Sequence, residues 1–283
     1  MAPPKVEKDD ANGMDKVVLK TDKGASAEVY LHGAHISSFK TASGKDVVWV
    51  SKEAVFKPPK AIRGGVPVCF PQFGQLGPLG QHGFARNTAF DVVDGSESSV
   101  TLLLKATGEE DARFPHAFDL RVKVALEDER LTQELEATNT GSDAMDFTCA
   151  LHTYFGVSAI DKVRVEGLDG VGYTDSLQGG KALTQDGPVA FAEEVDRIYL
   201  KTPDSIKIID EGAGSCVEIT KSGFPDAVVW NPWVDKSKAM GDFGDEEYQV
   251  MLCIEPAVAG SGAVKLEPGK TWSGAQTLAL SST

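Results

Sequence analysis

Short segments that alternate apolar and polar residues run through most of the chain and restrict the folds open to it. In residues 118–126 every second position is apolar, which is the period of a strand with one buried face; these positions are Leu120, Val122, Val124 and Leu126. After a polar turn at 127–130, the alternation returns in residues 131–137. This part of the chain is therefore predicted to be an antiparallel hairpin.

Further β-like segments follow at short intervals, whereas the one helix candidate is the short segment 236–243. Many short strands separated by turns indicate an all-β sandwich or barrel. Because no internal repeat or Gly/Ser linker divides the chain, we predict a single domain over residues 16–283. Residues 1–15 are polar and lack hydrophobic periodicity, so they are expected to form a flexible tail.

The charge balance excludes several classes of partner. A net charge of −14 argues against a general nucleic-acid or anionic-membrane surface, since such partners need clustered Lys and Arg. An anionic ligand would need a local basic pocket. The sequence has no run of 18 apolar residues and no apolar leader. Its first residues are acidic, whereas plastid transit peptides are Arg- and Ser-rich. We therefore expect a cytoplasmic protein. The four cysteines lie among apolar neighbours without CxxC spacing, so buried free thiols are predicted.

Residues 63–87 are rich in glycine and proline, which favours irregular backbone over a helix or a plain strand. Arg63, His82 and Arg86 are distributed along this segment, and binding groups concentrate on loops held by a rigid scaffold. We interpret the segment as part of the working face. An ordinary long surface loop remains the alternative on composition alone.

Two further residues suggest acid and base chemistry. His152 ends an apolar strand, and Glu255 lies in another, where a carboxylate is rarely buried without a partner or a purpose. Taken alone, His152 is better interpreted as a satisfied core histidine. Together, a histidine and a glutamate suit a reaction that removes one proton and adds another at neighbouring oxygens, such as opening of a sugar hemiacetal.

Metal and hydrolase chemistry find less support. His32 and His35 lie three positions apart, but the nearby chain supplies no third and fourth ligand for zinc, so structural or solvated histidines are favoured. No Gly-x-Ser-x-Gly or phosphate-binding GxxxxGK[ST] motif occurs. A glycosidase normally needs two carboxylates rather than His with Glu.

Seven separated motifs resemble, in order, the successive signatures of the glucose-6-phosphate 1-epimerases, a branch of the aldose 1-epimerase superfamily. The resemblance runs from about residue 24 to about residue 280, and its motifs are RGGVP at 63, FPQFG at 70, HGFARN at 82, LHTYF at 151, EVDRIY at 194, WNPW at 230 and CIEP at 253. It implies a large antiparallel β-sandwich of the galactose-mutarotase type with a sugar cleft on one curved sheet.

The resemblance also implies residue roles. His152 would be the general acid and Glu255 the general base. Asp196 and His82 would contact the sugar, with Gln81 beside them. Arg63 and Arg86 match the positions that bind the 6-phosphate, as guanidinium groups grip phosphate oxygens in bidentate fashion.

The implied activity is interconversion of the α and β anomers of hexose 6-phosphates, chiefly glucose 6-phosphate, without a metal or cofactor. The protein is expected to be a monomer whose partner is the small phosphosugar. Two alternatives stay open: a mutarotase for unphosphorylated aldoses, and a carbohydrate-binding protein without turnover.

Overall fold

The computed structural model describes residues 4–282, whose regular secondary structure consists almost entirely of antiparallel strands. The strands of the first half are β1 (Val6–Lys8), β2 (Asp15–Lys20), β3 (Ser26–Tyr30), β4 (His35–Lys40), β5 (Val68–Cys69), β6 (Asp91–Gly95), β7 (Ser99–Ala106), β8 (Phe118–Leu126), β9 (Arg130–Asn139), β10 (Met145–Phe147), β11 (Cys149–Leu151) and β12 (Thr153–Gly156). Those of the second half are β13 (Val163–Glu166), β14 (Gly172–Asp175), β15 (Lys181–Thr184), β16 (Val189–Ala190), β17 (Val195–Tyr199), β18 (Ser205–Asp210), β19 (Ser215–Ser222), β20 (Asp226–Asn231), β21 (Met251–Val258), β22 (Val264–Leu266) and β23 (Thr271–Ser282). One α-helix, α1 (Trp233–Ala239), lies between β20 and β21.

Two large sheets form the body of the molecule. The nine-stranded sheet has the order β16-β13-β18-β19-β23-β9-β8-β7-β6. The eight-stranded sheet has the order β15-β14-β17-β20-β21-β11-β5, with β12 also paired to β21. Strands β1 to β4 form a separate four-stranded sheet, and β10 pairs with β22.

The main hydrophobic core lies between the two large sheets. Apolar side chains from both contribute to one cluster, for example Val122 and Leu135 of the nine-stranded sheet and Val229 and Ile254 of the eight-stranded sheet. Full burial of each such side chain contributes about 1.5–3 kcal/mol to folding. The predicted all-β sandwich is thus confirmed.

The eight-stranded sheet is also covered on its other face. A second cluster there includes Tyr154, Trp230 and Cys253. Strand β21 is therefore buried at every position, with Leu252 and Ile254 facing the main core. Since successive side chains point to opposite faces, Glu255 lies on the second face together with Cys253.

The hairpin predicted from the alternation at 118–137 is confirmed, since β8 and β9 pair antiparallel from Leu126↔Leu131 to Phe118↔Asn139. The segment 63–87 is irregular apart from the short β5 and one 3-10 turn at Ala85–Asn87. All four cysteines are buried free thiols, as predicted.

Two boundaries predicted from the sequence were wrong. The helix spans Trp233–Ala239 rather than 236–243, because the backbone turns directly after Asn231, whose Oδ1 accepts the Trp233 N–H at 2.9 Å. The expected tail also ends earlier than residue 15, because Val6–Lys8 pair with Asp15–Val17 as strand β1. Residues 1–3 lie outside the described range.

A buried ion pair secures this N-terminal hairpin. Lys16 Nζ lies 2.6 Å from Asp9 Oδ2, which also accepts the Tyr30 hydroxyl at 2.7 Å. Across residues 4–282 no helix is long and apolar enough to span a bilayer.

Candidate active site

A cavity of about 550 Å³ opens on the second face of the eight-stranded sheet. This is within the usual range for a small-molecule site. All seven residues singled out from the sequence line it: Arg63, Gln81, His82, Arg86, His152, Asp196 and Glu255.

The register of two neighbouring strands, β12 and β21, brings the acid and base candidates together. Tyr154 on β12 pairs with Cys253 on β21. His152, directly before β12, lies two residues before Tyr154, and Glu255 lies two residues after Cys253 on the antiparallel β21, so the two residues lie opposite each other on the same face. His152 Nε2 consequently lies 3.3 Å from Glu255 Oε1.

The same register places Asp196 one row away. Asp196 on β17 pairs with Trp230 on β20, and Trp230 pairs with Cys253. The cavity floor is therefore a patch of one continuous sheet rather than a meeting of mobile loops. Sites built on strands are held more precisely than sites on loops.

Burial opposes charge on both members of the His152–Glu255 pair. Glu255 is 1% exposed, and its burial, reinforced by the negative charge of Asp196, raises the pKa of its carboxyl well above the ordinary range. Burial likewise lowers the pKa of His152 well below 6.5, with His82, Arg86 and Arg63 acting in the same direction. At neutral pH the pair therefore holds one proton between two groups that each resist ionising alone.

Aromatic neighbours fix the His152 ring. It stacks on Tyr154 with ring centroids 4.8 Å apart and an interplanar angle of 11°. The rings of Trp230 and His82 approach edge-on at 6.0 and 5.4 Å. The imidazole thus keeps one orientation toward Glu255.

His82 is held as a neutral donor. The Gly74 N–H donates to His82 Nδ1 at 3.2 Å, which leaves the ring proton on Nε2. Burial, with Arg86 and Arg63, lowers the pKa of His82 to about 3. The amide nitrogen of Gln81 lies 3.3 Å from Nε2, but two N–H donors cannot bond to each other, so the Nε2–H stays available to a ligand in the cavity that both side chains line.

Glycines in the segment 63–87 permit close approaches that a side chain would block. A Cβ on Gly83 would lie 2.4 Å from the Phe70 carbonyl oxygen, and one on Gly65 would lie 2.3 Å from the Ile36 carbonyl oxygen. Both glycines have positive φ. Their backbone conformation carries His82 and Arg63 to the cavity.

Arg63 and Arg86 make the cavity locally positive within an acidic protein. Arg63 donates to Asp242 through Nε at 3.1 Å and to the Tyr154 hydroxyl at 3.2 Å. Arg86 donates from Nη2 to the Gln81 carbonyl at 3.1 Å, while its buried Nε has no partner within residues 4–282. An anion in the cavity could accept from that unpaired donor.

Two polar residues were missed by the sequence reasoning. Asp242 orients Arg63, and Lys236 on α1 lines the cavity as a third cation, with its Nζ 3.2 Å from Glu194 Oε1. Asp242 follows the helix in a loop of glycine and acidic residues, which gives no local signal. Lys236 could have been noticed because it lies within the helix candidate after WNPW.

His32 and His35 do not form a metal site in the described chain. His32 Nε2 hydrogen-bonds with the Lys60 carbonyl at 2.8 Å, and His35 is buried. Burial lowers the pKa of His35 to about 3, so it is a neutral core residue.

Known proteins resemble the chain over nearly its whole length. A protein from Cenchrus ciliaris named "putative glucose-6-phosphate 1-epimerase" is 44% identical over 276 residues, covering 93% of this chain and 84% of that protein. The crystal structure of a "putative mutarotase" from Salmonella typhimurium superposes with a TM-score of 0.87 at 28% identity, covering 99% of this chain and 97% of that one.

A galactose mutarotase-like protein from Clostridium acetobutylicum shares the fold, with a TM-score of 0.78 at 19% identity and 99% of both chains covered. The predicted galactose-mutarotase type of sandwich is thereby confirmed. The family model described as aldose 1-epimerase matches residues 15–279. The chain belongs to the aldose 1-epimerase family.

Proposed function

We propose that the protein interconverts the α and β anomers of hexose 6-phosphates, chiefly glucose 6-phosphate. The observation that carries the proposal is the His152–Glu255 pair at 3.3 Å on the floor of a cavity that Arg63 and Arg86 also line. A binding protein without turnover has no need of such a pair. A mutarotase for unphosphorylated aldoses has no need of the two arginines.

The proposed mechanism starts from the form of the pair in which its single proton is on His152, so that Glu255 takes the proton of the anomeric hydroxyl while His152 protonates the ring oxygen. The C1–O5 bond breaks and gives the open-chain aldehyde. Rotation about C1–C2 presents the other carbonyl face, and the reverse transfers close the ring. The protons balance between two oxygens of one molecule, so the reaction requires no redox partner or group carrier.

The phosphate of the substrate is proposed to favour protonation of the general acid, His152, in addition to strengthening binding. Arg63 and Arg86 lower the pKa of His152 by their positive charge. A phosphate bound between them offsets that charge and makes protonated His152 easier to form. We infer that phosphorylated sugars gain in turnover as well as in affinity.

We expect His82 and Asp196, which line the cavity together with Gln81, to contact the sugar hydroxyls. We expect the protein to act as a monomer. We also expect the protein to be cytoplasmic and its acid and base pair to act without a resident cofactor.

The test compares mutarotation of glucose, galactose and mannose 6-phosphates with that of the free sugars. Each arginine contact to phosphate is worth about 1.5–3 kcal/mol, so Arg63→Met or Arg86→Met should raise KM for glucose 6-phosphate roughly 10- to 150-fold. Free glucose should be affected little. Arg164→Met is the matched control, because Arg164 pairs with Glu166 on the nine-stranded sheet.

Equal kcat/KM for phosphorylated and free glucose would overturn the proposed substrate in favour of an aldose mutarotase. Binding of sugar phosphate without any anomer exchange would favour a carbohydrate-binding protein.

A further inference from the structure

A thiol lies beside the acid and base pair. Cys253 precedes Glu255 by two residues on β21 and so shares its face of the sheet. A nitrogen of His152, Sγ of Cys253 and a carboxylate oxygen of Glu255 all lie within 4.8 Å of one another. The proton-transfer mechanism leaves this thiol without a task.

Two polar atoms of these three residues lack a hydrogen-bond partner. Glu255 Oε2 and His152 Nδ1 are buried and have no hydrogen-bond partner in the described part of the chain. Buried polar atoms in folded proteins nearly always have one. A carboxylate 99% removed from solvent with a free oxygen is poised to receive a ligand.

The donor set selects the class of ligand. Imidazole, thiolate and carboxylate together are typical of zinc, whereas Mg²⁺ and Ca²⁺ prefer oxygen alone. Bonds of about 2.0–2.1 Å from a tetrahedral zinc separate a nitrogen and an oxygen ligand by roughly 3.3 Å. His152 Nε2 and Glu255 Oε1 already have that separation. The fourth position would face the cavity.

We propose that His152, Cys253 and Glu255 form a reversible inhibitory site for Zn²⁺ or a similar thiophilic divalent cation. On binding, the Cys253 thiol and the His152–Glu255 pair each release one proton to solvent, and the sulfur, the imidazole nitrogen and the carboxylate oxygen bond to the metal. Glu255 and His152 then hold the cation with the electron pairs they need for proton transfer. Inhibition rests on the proposed function, but binding of the metal does not.

The binding test uses Co²⁺ as a spectroscopic probe on the whole chain, without sugar. Wild type should show the near-ultraviolet charge-transfer band of a cobalt–thiolate bond, and Zn²⁺ should displace it. Cys253→Ser should lose the band, while Cys216→Ser, altered on the nine-stranded sheet, should keep it. His152→Asn provides a second variant that weakens binding with the thiol intact.

The effect on turnover is measured in parallel as the rate with Zn²⁺ divided by the same variant's rate in EDTA. Cys253→Ser should raise the Zn²⁺ concentration that halves this ratio by at least about 100-fold, since even outer-shell partners are worth 10- to 100-fold in affinity. A cobalt band that persists in folded Cys253→Ser, or no band in wild type, would overturn the proposed site. A band without any mutarotase activity would leave the site standing and contradict the proposed function instead.

Discussion

His152 and Glu255 form a coupled pair in which one proton is shared by two buried groups. Below the pH at which the pair gains a second proton, both groups are protonated and no base remains. Above the pH at which it loses its single proton, no acid remains. The active form is therefore confined to a window set by the pair rather than by either residue.

We expect kcat for glucose 6-phosphate to follow a bell-shaped profile. The lowered pKa of His152 places the acid limb below pH 6.5, and the raised pKa of Glu255 places the basic limb well above pH 4.5. Because Asp196 contributes to the raised pKa of Glu255, Asp196→Asn should move the basic limb to lower pH. The check is anomer exchange across pH after subtraction of the spontaneous rate. A single inflection at an ordinary histidine pKa would contradict the coupling.

At this scale the sequence allowed the identity of the pair to be predicted but not its coupling. A strand ending at His152 and a carboxylate within an apolar strand are both visible in the printed residues. Their convergence depends on the pairing Tyr154↔Cys253, which joins segments 99 positions apart. No local pattern specifies such a pairing.

The helix α1 supplies the cavity with a cation that the strands do not. Its start is set by Asn231, which accepts the Trp233 N–H and donates to the carbonyls of Tyr248 and Met251. This arrangement places Lys236 at the cavity and Lys238 in solvent.

Lys236→Met should raise KM for glucose 6-phosphate about fivefold, corresponding to about 1 kcal/mol for a half-exposed charge, and should leave free glucose unchanged. Lys238→Met on the same helix is the control and should have no effect. Steady-state kinetics on the two sugars measures both. An equal rise in KM for glucose 6-phosphate with both lysine variants would indicate a general electrostatic effect instead of a contact between Lys236 and the phosphate.

Strand β20 is anchored at its first residue by a buried carboxylate. Asp226 is fully buried and accepts the backbone N–H groups of Lys201 and Ala259 at 3.1 Å and of Ser261 at 2.8 Å. It thereby ties two loops to the central strands that carry Trp230 and Glu255.

Asp226→Ala should lower the free energy of unfolding by about 3 kcal/mol, because three backbone donors lose a buried acceptor at about 1 kcal/mol each. Urea denaturation should show a lower midpoint with an unchanged slope. Asp235→Ala, at an exposed position of α1, should stay within about 0.5 kcal/mol of wild type. A midpoint equal to wild type would contradict this anchoring role.

At the scale of elements, alternation predicted the strands with one buried face, such as β8 and β9. Short or exposed strands such as β1 and β15 escaped prediction, because their positions carry too few apolar residues to show a period. Tertiary pairing stabilises them.

The whole molecule uses one sheet for two purposes. The eight-stranded sheet packs against the nine-stranded sheet through Leu252 and Ile254, and it supports the cavity through its other face. Burial on both sides removes Glu255 from water and shifts its pKa. An overall charge of −14 surrounds a cavity with three cations, so the attraction for an anion is local.

The fold class followed from strand periodicity, and the family from separated motifs in one order. Which face of the sheet would bear the site could not be read from the chain, because β21 is apolar on both faces. The segments that cover each face of the sheet determine which face bears the site.

The central claim is that this paired histidine and glutamate catalyse anomer exchange of a sugar phosphate. The most direct test is the NMR exchange rate between α- and β-glucose 6-phosphate with wild type, Glu255→Gln and His152→Asn, each shown by circular dichroism to be folded. Each substitution should reduce the catalysed rate by roughly 10²- to 10⁴-fold. Exchange at the wild-type rate in either folded variant would contradict the account.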